Sequence, residues 1–403
     1  MSKRVLLVAY PLLPVSEASA GGAEQILWTL DRELVGRGWK TEVAACAGSE
    51  VAGELTVTGE VPAGQSQSQS QNQSQLPHPS KRSLDGAPAS GQGQLLLHIR
   101  QQRADVGHPR NMGHTVNFAE REQEHAERVV EACASGRFQI VLDHSGHFFR
   151  HARRVKATVL ATLHLPRELY AADAFDGVAE NVFFNCVSDS QRLTFMDLPR
   201  VLGVVRNGID VERFPMGGQK SDYLLWLGRV CPEKAPHLAI AAAQRAGLPI
   251  VVAGQVYPFR WHQEYWEREV KPLIDGERVR WVELPSFAEK TKLLREARAL
   301  LVTSRIAETT SLVALEAMAS GTPVIAFDAG ALRDVVPEGT GFIVEGVEEM
   351  ARACPAVSGI RALSCREWVE KQYSVQAMVD GYEALIGDLV KGQRHGEVRR
   401  RQA

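Results

Sequence analysis

Several things are scarce in this 403-residue chain, and each scarcity removes a class of explanation. Net charge is one: 46 Lys and Arg stand against 48 Asp and Glu, so no overall field draws the protein onto nucleic acid or an anionic membrane. Close cysteine pairs are another. Cys46, Cys133, Cys186, Cys231, Cys354 and Cys365 lie far apart, without the spacing of zinc sites or redox motifs, and read as free buried thiols. Long apolar runs are missing too. The first, within Lys3 to Tyr10, is too short for a signal-peptide core or a membrane span and reads as a buried strand. The expected compartment is therefore a reducing cytoplasm, with peripheral membrane contact left open.

Three motifs are also lacking. There is no Asp-x-Asp triplet, which removes the simplest metal-assisted way of holding a diphosphate. His144, His147 and His164 sit near expected strand ends without HExxH spacing and read as ordinary histidines, and no three-glycine dinucleotide fingerprint occurs. A metal-free site with no cofactor is the expectation.

What is present is 44% hydrophobic and 23% charged residues, the profile of a globular protein with sizeable cores. The length suits two α/β domains. Short runs rich in Val, Leu and Ile recur, each followed by a turn and an amphipathic stretch, as in parallel βα sheets. One series has strands at Arg4 to Tyr10, Thr41 to Cys46, Gln139 to Asp143, Ala157 to Thr162 and Val182 to Val187, with a helix at Ala23 to Arg37. A second has strands at Tyr223 to Leu227, Pro249 to Ala253, Val279 to Glu283, Ala299 to Val302 and Pro323 to Phe327. Turn residues from Arg206 to Gly218 separate them, so the expected divisions are 1–205, 206–373 and a terminal helix with a basic tail, 374–403. That helix shows one apolar face through Val375, Met378, Val379, Tyr382, Leu385, Ile386 and Leu389, and the tail from His395 is expected to fray. The Gln- and Ser-rich stretch 62–94 has too few large apolar residues to offset its ordering entropy and reads as a disordered loop.

Two constellations carry the chemistry. Gly228-Arg229-Val230-Cys231-Pro232-Glu233-Lys234 follows a strand directly, so Arg229 and Lys234 project where open α/β sheets bind ligands. Two cations there suit a diphosphate, unless they merely meet solvent or Glu233. Further on, Glu308 precedes Thr309-Thr310-Ser311, and Leu312 to Ser320 reads as a helix ended by Gly321 and Pro323. The amides and dipole of such a start let Thr310, Ser311 and Leu312 meet phosphate or sugar oxygens, and Glu308 can accept from sugar hydroxyls. Glu316 lies one turn on among Val313, Ala314, Leu315, Ala317 and Met318, so its carboxylate needs a partner. Ribose hydroxyls or a Lys or Arg of the same domain would serve. Gly21 and Gly22 open the first helix as a glycine turn of low specificity.

These residues resemble the retaining glycosyltransferases of the GT-B fold, in particular the family four group. The resemblance rests on Gly21-Gly22-Ala23-Glu24, Asn207-Gly208-Ile209-Asp210, Gly228 through Lys234 and the specific run Glu308 to Pro323. It implies two Rossmann-like domains, the C-terminal one holding a nucleoside-diphosphate sugar, and a C-terminal helix returning toward the N-terminal domain. It also implies donor contacts from Gly22, Arg229, Lys234, Thr310, Ser311, Leu312 and Glu316, with Glu308 on the transferred sugar and His164 beside the reacting carbon. The reaction implied is hexosyl transfer to a carbohydrate, lipid-linked or small-molecule acceptor. Thr309-Thr310-Ser311 stands where the family usually has Gly, a bulky residue and Gly, and Ala235 replaces the usual Gly. A nucleotide-sugar epimerase of similar plan and a catalytically silent nucleotide-binding protein are the competing readings.

Overall fold

A computed structural model describes residues 3–17, 19, 21–60, 118–257 and 259–402. The expected disordered loop at 62–94 lies outside the described residues. Two compact units emerge, one of Met1–Pro62, Asn117–Val211 and Lys371–Ala403, the other including Glu212–Glu370.

In the first unit the apolar runs become seven parallel strands: β1 (Arg4–Val8), β2 (Lys40–Ala45), β3 (Glu54–Val57), β4 (Ile140–Asp143), β5 (Thr158–Leu163), β6 (Val182–Cys186) and β7 (Val201–Val204). Their order across the sheet is β3-β2-β1-β4-β5-β6-β7. Val5 to Val8 are wholly buried, as expected where helices cover both faces of a parallel sheet. The helix Gly22–Gly36 buries Ile26, Leu27, Leu30 and Leu34, a helical stripe that packs its inner side.

The last helix, Val375–Gln402, belongs to this same unit. Val375, Met378, Val379, Tyr382, Ile386 and Leu389 are buried along the stripe read from the sequence. Polar contacts fix the seat: the Tyr382 hydroxyl lies 3.0 Å from Thr162 Oγ1, and Glu383 accepts from Trp39 Nε1 at 2.7 Å and from Arg37 at 2.8 Å. Helical backbone continues through Gln402, past His395 where fraying was expected; the i to i−4 ladder is not interrupted by any proline there. Gly208 explains the Asn207 to Asp210 motif in physical terms. Ile209 pairs with Ser374, and a Cβ on Gly208 would sit 2.5 Å from the Ser374 carbonyl oxygen, so a side chain there would push the returning helix away.

The second unit has six parallel strands: β8 (Leu224–Arg229), β9 (Ile250–Gln255), β10 (Val279–Glu283), β11 (Ala299–Val302), β12 (Val324–Phe327) and β13 (Gly341–Val344), in the order β10-β9-β8-β11-β12-β13. This is the doubly wound order, with β8 and β11 central and the winding reversing between them. Its core joins Leu224, Trp226, Ile250, Val252, Leu301 and Ile325 from the sheet to Ala239, Ile240, Ala243, Met350 and Cys354 from covering helices. Strands β3, β7 and β13 were not expected from the sequence. All three lie on sheet edges; β3 is mostly exposed and carries no unbroken apolar run, whereas β7 and β13 are short apolar runs set among turn residues. Among the described residues, no helix is long and apolar enough to cross a membrane.

Candidate functional site

Side chains leaving the carboxyl ends of β8 and β11 flank the point where the second sheet reverses its winding, the place where open α/β sheets bind ligands. Arg229 is the last residue of β8. The chain then turns at Cys231, whose carbonyl accepts the amides of Lys234 at 3.1 Å and Ala235 at 3.0 Å. Ala235 adopts φ 47°, ψ 54°, a left-handed conformation that suits glycine, which is the physical sense of the glycine expected there by resemblance. The turn is stitched to the loop after β11: the Thr303 hydroxyl donates to the Lys234 and Ala235 carbonyls, each at 2.9 Å, and the Arg305 amide donates to the Glu233 carbonyl at 2.8 Å.

This stitching brings the predicted pair together. Lys234 Nζ donates to the Glu308 carboxylate, which also accepts from the Ser304 hydroxyl. The Glu308 side chain is 9% exposed and the Lys234 side chain 31%, so one carboxylate oxygen is held while the ammonium keeps access to solvent. The backbone of Glu308 is fixed as well. Its amide donates to the Ala329 carbonyl at 3.3 Å, its carbonyl accepts from Ala331 at 2.7 Å, and it forms a strand-like bridge with Gly330. Gly330 has φ +60°, and a Cβ there would lie 2.4 Å from the Glu308 carbonyl oxygen.

The other donor candidates of this unit follow. Leu312–Ala319 is a helix with Ser311 at its N-cap, whose hydroxyl makes no cap hydrogen bond; the Thr310 hydroxyl donates to the Thr309 carbonyl at 2.8 Å. Glu316 is buried, and its partner is a cation: Lys290 Nζ, from the helix Phe287–Glu296, lies 2.7 Å from its Oε1. Of the two partners left open by the sequence, an ion pair is therefore the one present within the chain. Arg229 is half-exposed, 5.5 Å from the Tyr257 ring centroid and 3.5 Å from Glu233. Burial, the largest influence, would raise the Glu233 carboxyl, but Arg229 together with the residue's own backbone amide and the neighbouring His262 and Cys231 holds the group below the usual range.

Gly22 and His164 belong to the first unit. Gly22 opens the helix that follows β1. His164 leaves the end of β5, and its Nε2 lies 2.9 Å from Nδ1 of His144, which leaves the end of β4. Burial pushes the His164 imidazole down to about 4 and that of His144 well below its ordinary value, so both rings are neutral at pH 7.

Sequence reading missed Thr303 and Lys290 and gave Ser304, at the start of the second constellation, no role, because nothing in their local pattern sets them apart from ordinary loop and helix residues. It also missed a grouping behind Arg229. Atoms of Cys231, Glu233 and His262 able to ligate a metal all lie within 4.8 Å of one another, and all three residues are buried. The thirty intervening residues hide the relation, which exists because β8 and β9 are neighbours in the sheet.

Residues 221–358, within the second unit, match the family model described as Glycosyl transferases group 1. A stretch of 221 residues is 30% identical to glycogen synthase of Mycobacterium tuberculosis, covering 49% of this chain and 50% of that protein. A D-inositol 3-phosphate glycosyltransferase of Frankia alni is 34% identical over 221 residues, covering 49% of this chain and 54% of that one. The chain thus spans about half the length of the curated relatives it matches. In fold it is similar to the Anabaena protein HepE, solved in complex with UDP and glucose, with a TM-score of 0.66 at 15% identity over 96% of this chain and all of that one. The architecture is that of the GT-B glycosyltransferases.

Proposed function

We propose that this chain is a retaining glycosyltransferase of the family four group, moving a hexosyl unit from a nucleoside-diphosphate sugar to a carbohydrate, lipid-linked or small-molecule acceptor. The observation that carries this reading is the pairing of Lys234 with Glu308 across the loops that follow β8 and β11, at the switch point of a doubly wound sheet, with Arg229 ending β8 five residues before Lys234. Arg229 and Lys234 take the diphosphate. As the bond to the sugar breaks, negative charge grows on the leaving phosphate, and preorganised cations gain value at that moment. Amides at the start of Leu312–Ala319, near Thr310, Ser311 and Leu312, add donors to the same oxygens.

Glu308 accepts from hydroxyls of the transferred sugar, its second oxygen being available beside the one bound by Lys234 and Ser304. Glu316 serves the ribose, which requires it to share or leave Lys290. Gly22 and the neutral His164 act from the first unit, the glycine by close backbone approach to the donor and the imidazole by hydrogen bonding beside the reacting carbon. The leaving phosphate accepts the acceptor proton, so the protein supplies no nucleophile and the anomeric configuration is kept. HepE was solved with UDP and glucose, which makes UDP-glucose the first donor to try. The test incubates the protein with a panel of nucleotide sugars and acceptors from a cell extract, detecting the transferred sugar by mass spectrometry and the anomeric configuration of the product by NMR. A product of inverted configuration, or no transfer and no hydrolysis with any donor, would overturn the reading.

A further inference from the structure

Cys231 and Glu233 lie in the turn after β8, and His262 lies in the helix Arg260–Tyr265 that follows β9. Because β8 and β9 pair in parallel register to Arg229 and Gln255, and Val230 continues the ladder to the Gln255 carbonyl at 2.9 Å, the segments leaving the two strands emerge side by side. One thiol, one carboxylate and one imidazole are thereby gathered with their ligand atoms within 4.8 Å of one another. Cys231 is 0% exposed, His262 1% and Glu233 8%.

Nδ1 of His262 is fully enclosed and has no hydrogen-bond partner. A buried imidazole nitrogen without a partner bears the full desolvation cost of a polar atom, unless something outside the chain supplies the missing contact. One nitrogen of the same ring belongs to the cluster with Cys231 and Glu233, and that donor set is one a metal ion would suit. A sulfur, an imidazole nitrogen and a carboxylate oxygen suit an ion of borderline softness, and ligands around tetrahedral zinc sit at about 2.0–2.3 Å from the metal, so these atoms need close in by only about an ångström.

We propose that Cys231, Glu233 and His262 form a binding site for one divalent transition ion of the zinc type, seated behind Arg229. This site stands independently of the transfer reaction proposed above. In binding, the Cys231 S–H bond breaks, a sulfur–metal bond forms, the proton passes to solvent, and no group changes oxidation state. One thiolate and one carboxylate then balance the two positive charges, so the enclosed site is neutral overall. His262 enters as the neutral ring, since only an unprotonated nitrogen can bind the ion. Glu233 is at present 3.5 Å from Arg229, so its engagement by the ion releases that guanidinium toward other anions. The ion also ties the turn that carries Lys234 to the helix after β9.

The test uses the full chain stripped with a chelator and titrated with cobalt(II), then zinc(II). Expected are one equivalent of cobalt, a thiolate-to-cobalt charge-transfer band in the near ultraviolet, release of one proton per ion, and displacement of cobalt by zinc. Cys231→Ser removes the band, His262→Gln weakens cobalt affinity at least tenfold, and Cys354→Ser, a buried cysteine elsewhere in the unit, leaves both intact. Should Cys231→Ser not fold, X-ray absorption of the zinc-loaded wild-type chain decides. One sulfur with nitrogen and oxygen neighbours supports the site. No sulfur, two sulfurs, no stoichiometric uptake, or a band that survives in Cys231→Ser overturns it.

Discussion

Changing Glu308 to glutamine keeps the shape of the side chain while removing a charge from the Lys234 pair, and it separates two functions that most substitutions would damage together. Free nucleoside diphosphate lacks the transferred sugar, so it makes no use of Glu308 as an acceptor and meets it only as a nearby negative charge. An anion sharing Lys234 with Glu308 would lie about 5 Å from the carboxylate. At an effective dielectric constant of about 20 their repulsion is about 3 kcal/mol. The Lys234 side chain is 31% exposed, so water and salt reach the pair and reduce the net effect to about 1 kcal/mol. Glu308→Gln is therefore expected to bind nucleoside diphosphate as well as the wild type or about fivefold more tightly. With the complete nucleotide sugar the balance reverses. Loss of a charged acceptor on a sugar hydroxyl removes about 1.5–3 kcal/mol, lowering turnover by roughly ten- to a hundredfold. Arg229→Ala and Lys234→Ala should instead weaken diphosphate binding and cut turnover by about a hundredfold or more. Calorimetric titration of nucleoside diphosphate beside steady-state kinetics on folded variants gives both quantities. If Glu308→Gln loses diphosphate affinity as severely as Arg229→Ala, or turns over at the wild-type rate, the division of roles is wrong.

Three further outcomes can be checked directly. If Glu316 serves the ribose, the wild type should favour a ribonucleoside diphosphate over its 2′-deoxy counterpart, and Glu316→Gln should erase most of that preference; calorimetry with the two ligands refutes the assignment if the preference is unchanged. Gly330→Ala should lower thermal stability, since the added Cβ meets the Glu308 carbonyl and the residue has positive φ, a combination costing about 1–3 kcal/mol, and it should impair transfer more than Gly346→Ala, where a Cβ meets nothing within 4 Å. His125 lies buried against Thr58 and His147, and burial followed by the His147 charge pushes its imidazole down to about 3. Its contribution is complete above pH 6.5 and declines as the pH falls toward 3, because only the unfolded chain takes up the proton. Relative to its stability at pH 7.5, His125→Asn should therefore be less acid-sensitive than the wild type by about 2–3 kcal/mol at pH 4.5, read from denaturant melts at both pH values. Equal acid sensitivity of the two proteins would contradict the assignment.

The alternation of apolar runs with amphipathic stretches was enough to read two parallel sheets from the chain, because central strands buried on both faces must be continuously apolar and their covering helices must carry a stripe. Arg229 and Glu316 stand out in the sequence for a related reason: a charged residue at the end of a buried strand or inside an apolar helix has few places to go. Of the edge strands, β3 was not legible because it is mostly exposed and has no unbroken apolar run, and β7 and β13 were not because their short apolar runs sit among turn residues. Nor were the partners. That Glu308 meets Lys234 and Ser304, and that Glu316 meets Lys290, follows from which strands and helices lie side by side, a relation that local pattern does not contain. The same holds for Cys231, Glu233 and His262. In sequence they are an isolated cysteine, a loop carboxylate and a distant histidine, and they become one cluster only because β8 and β9 pair in the sheet and deliver the segments beyond them to the same place.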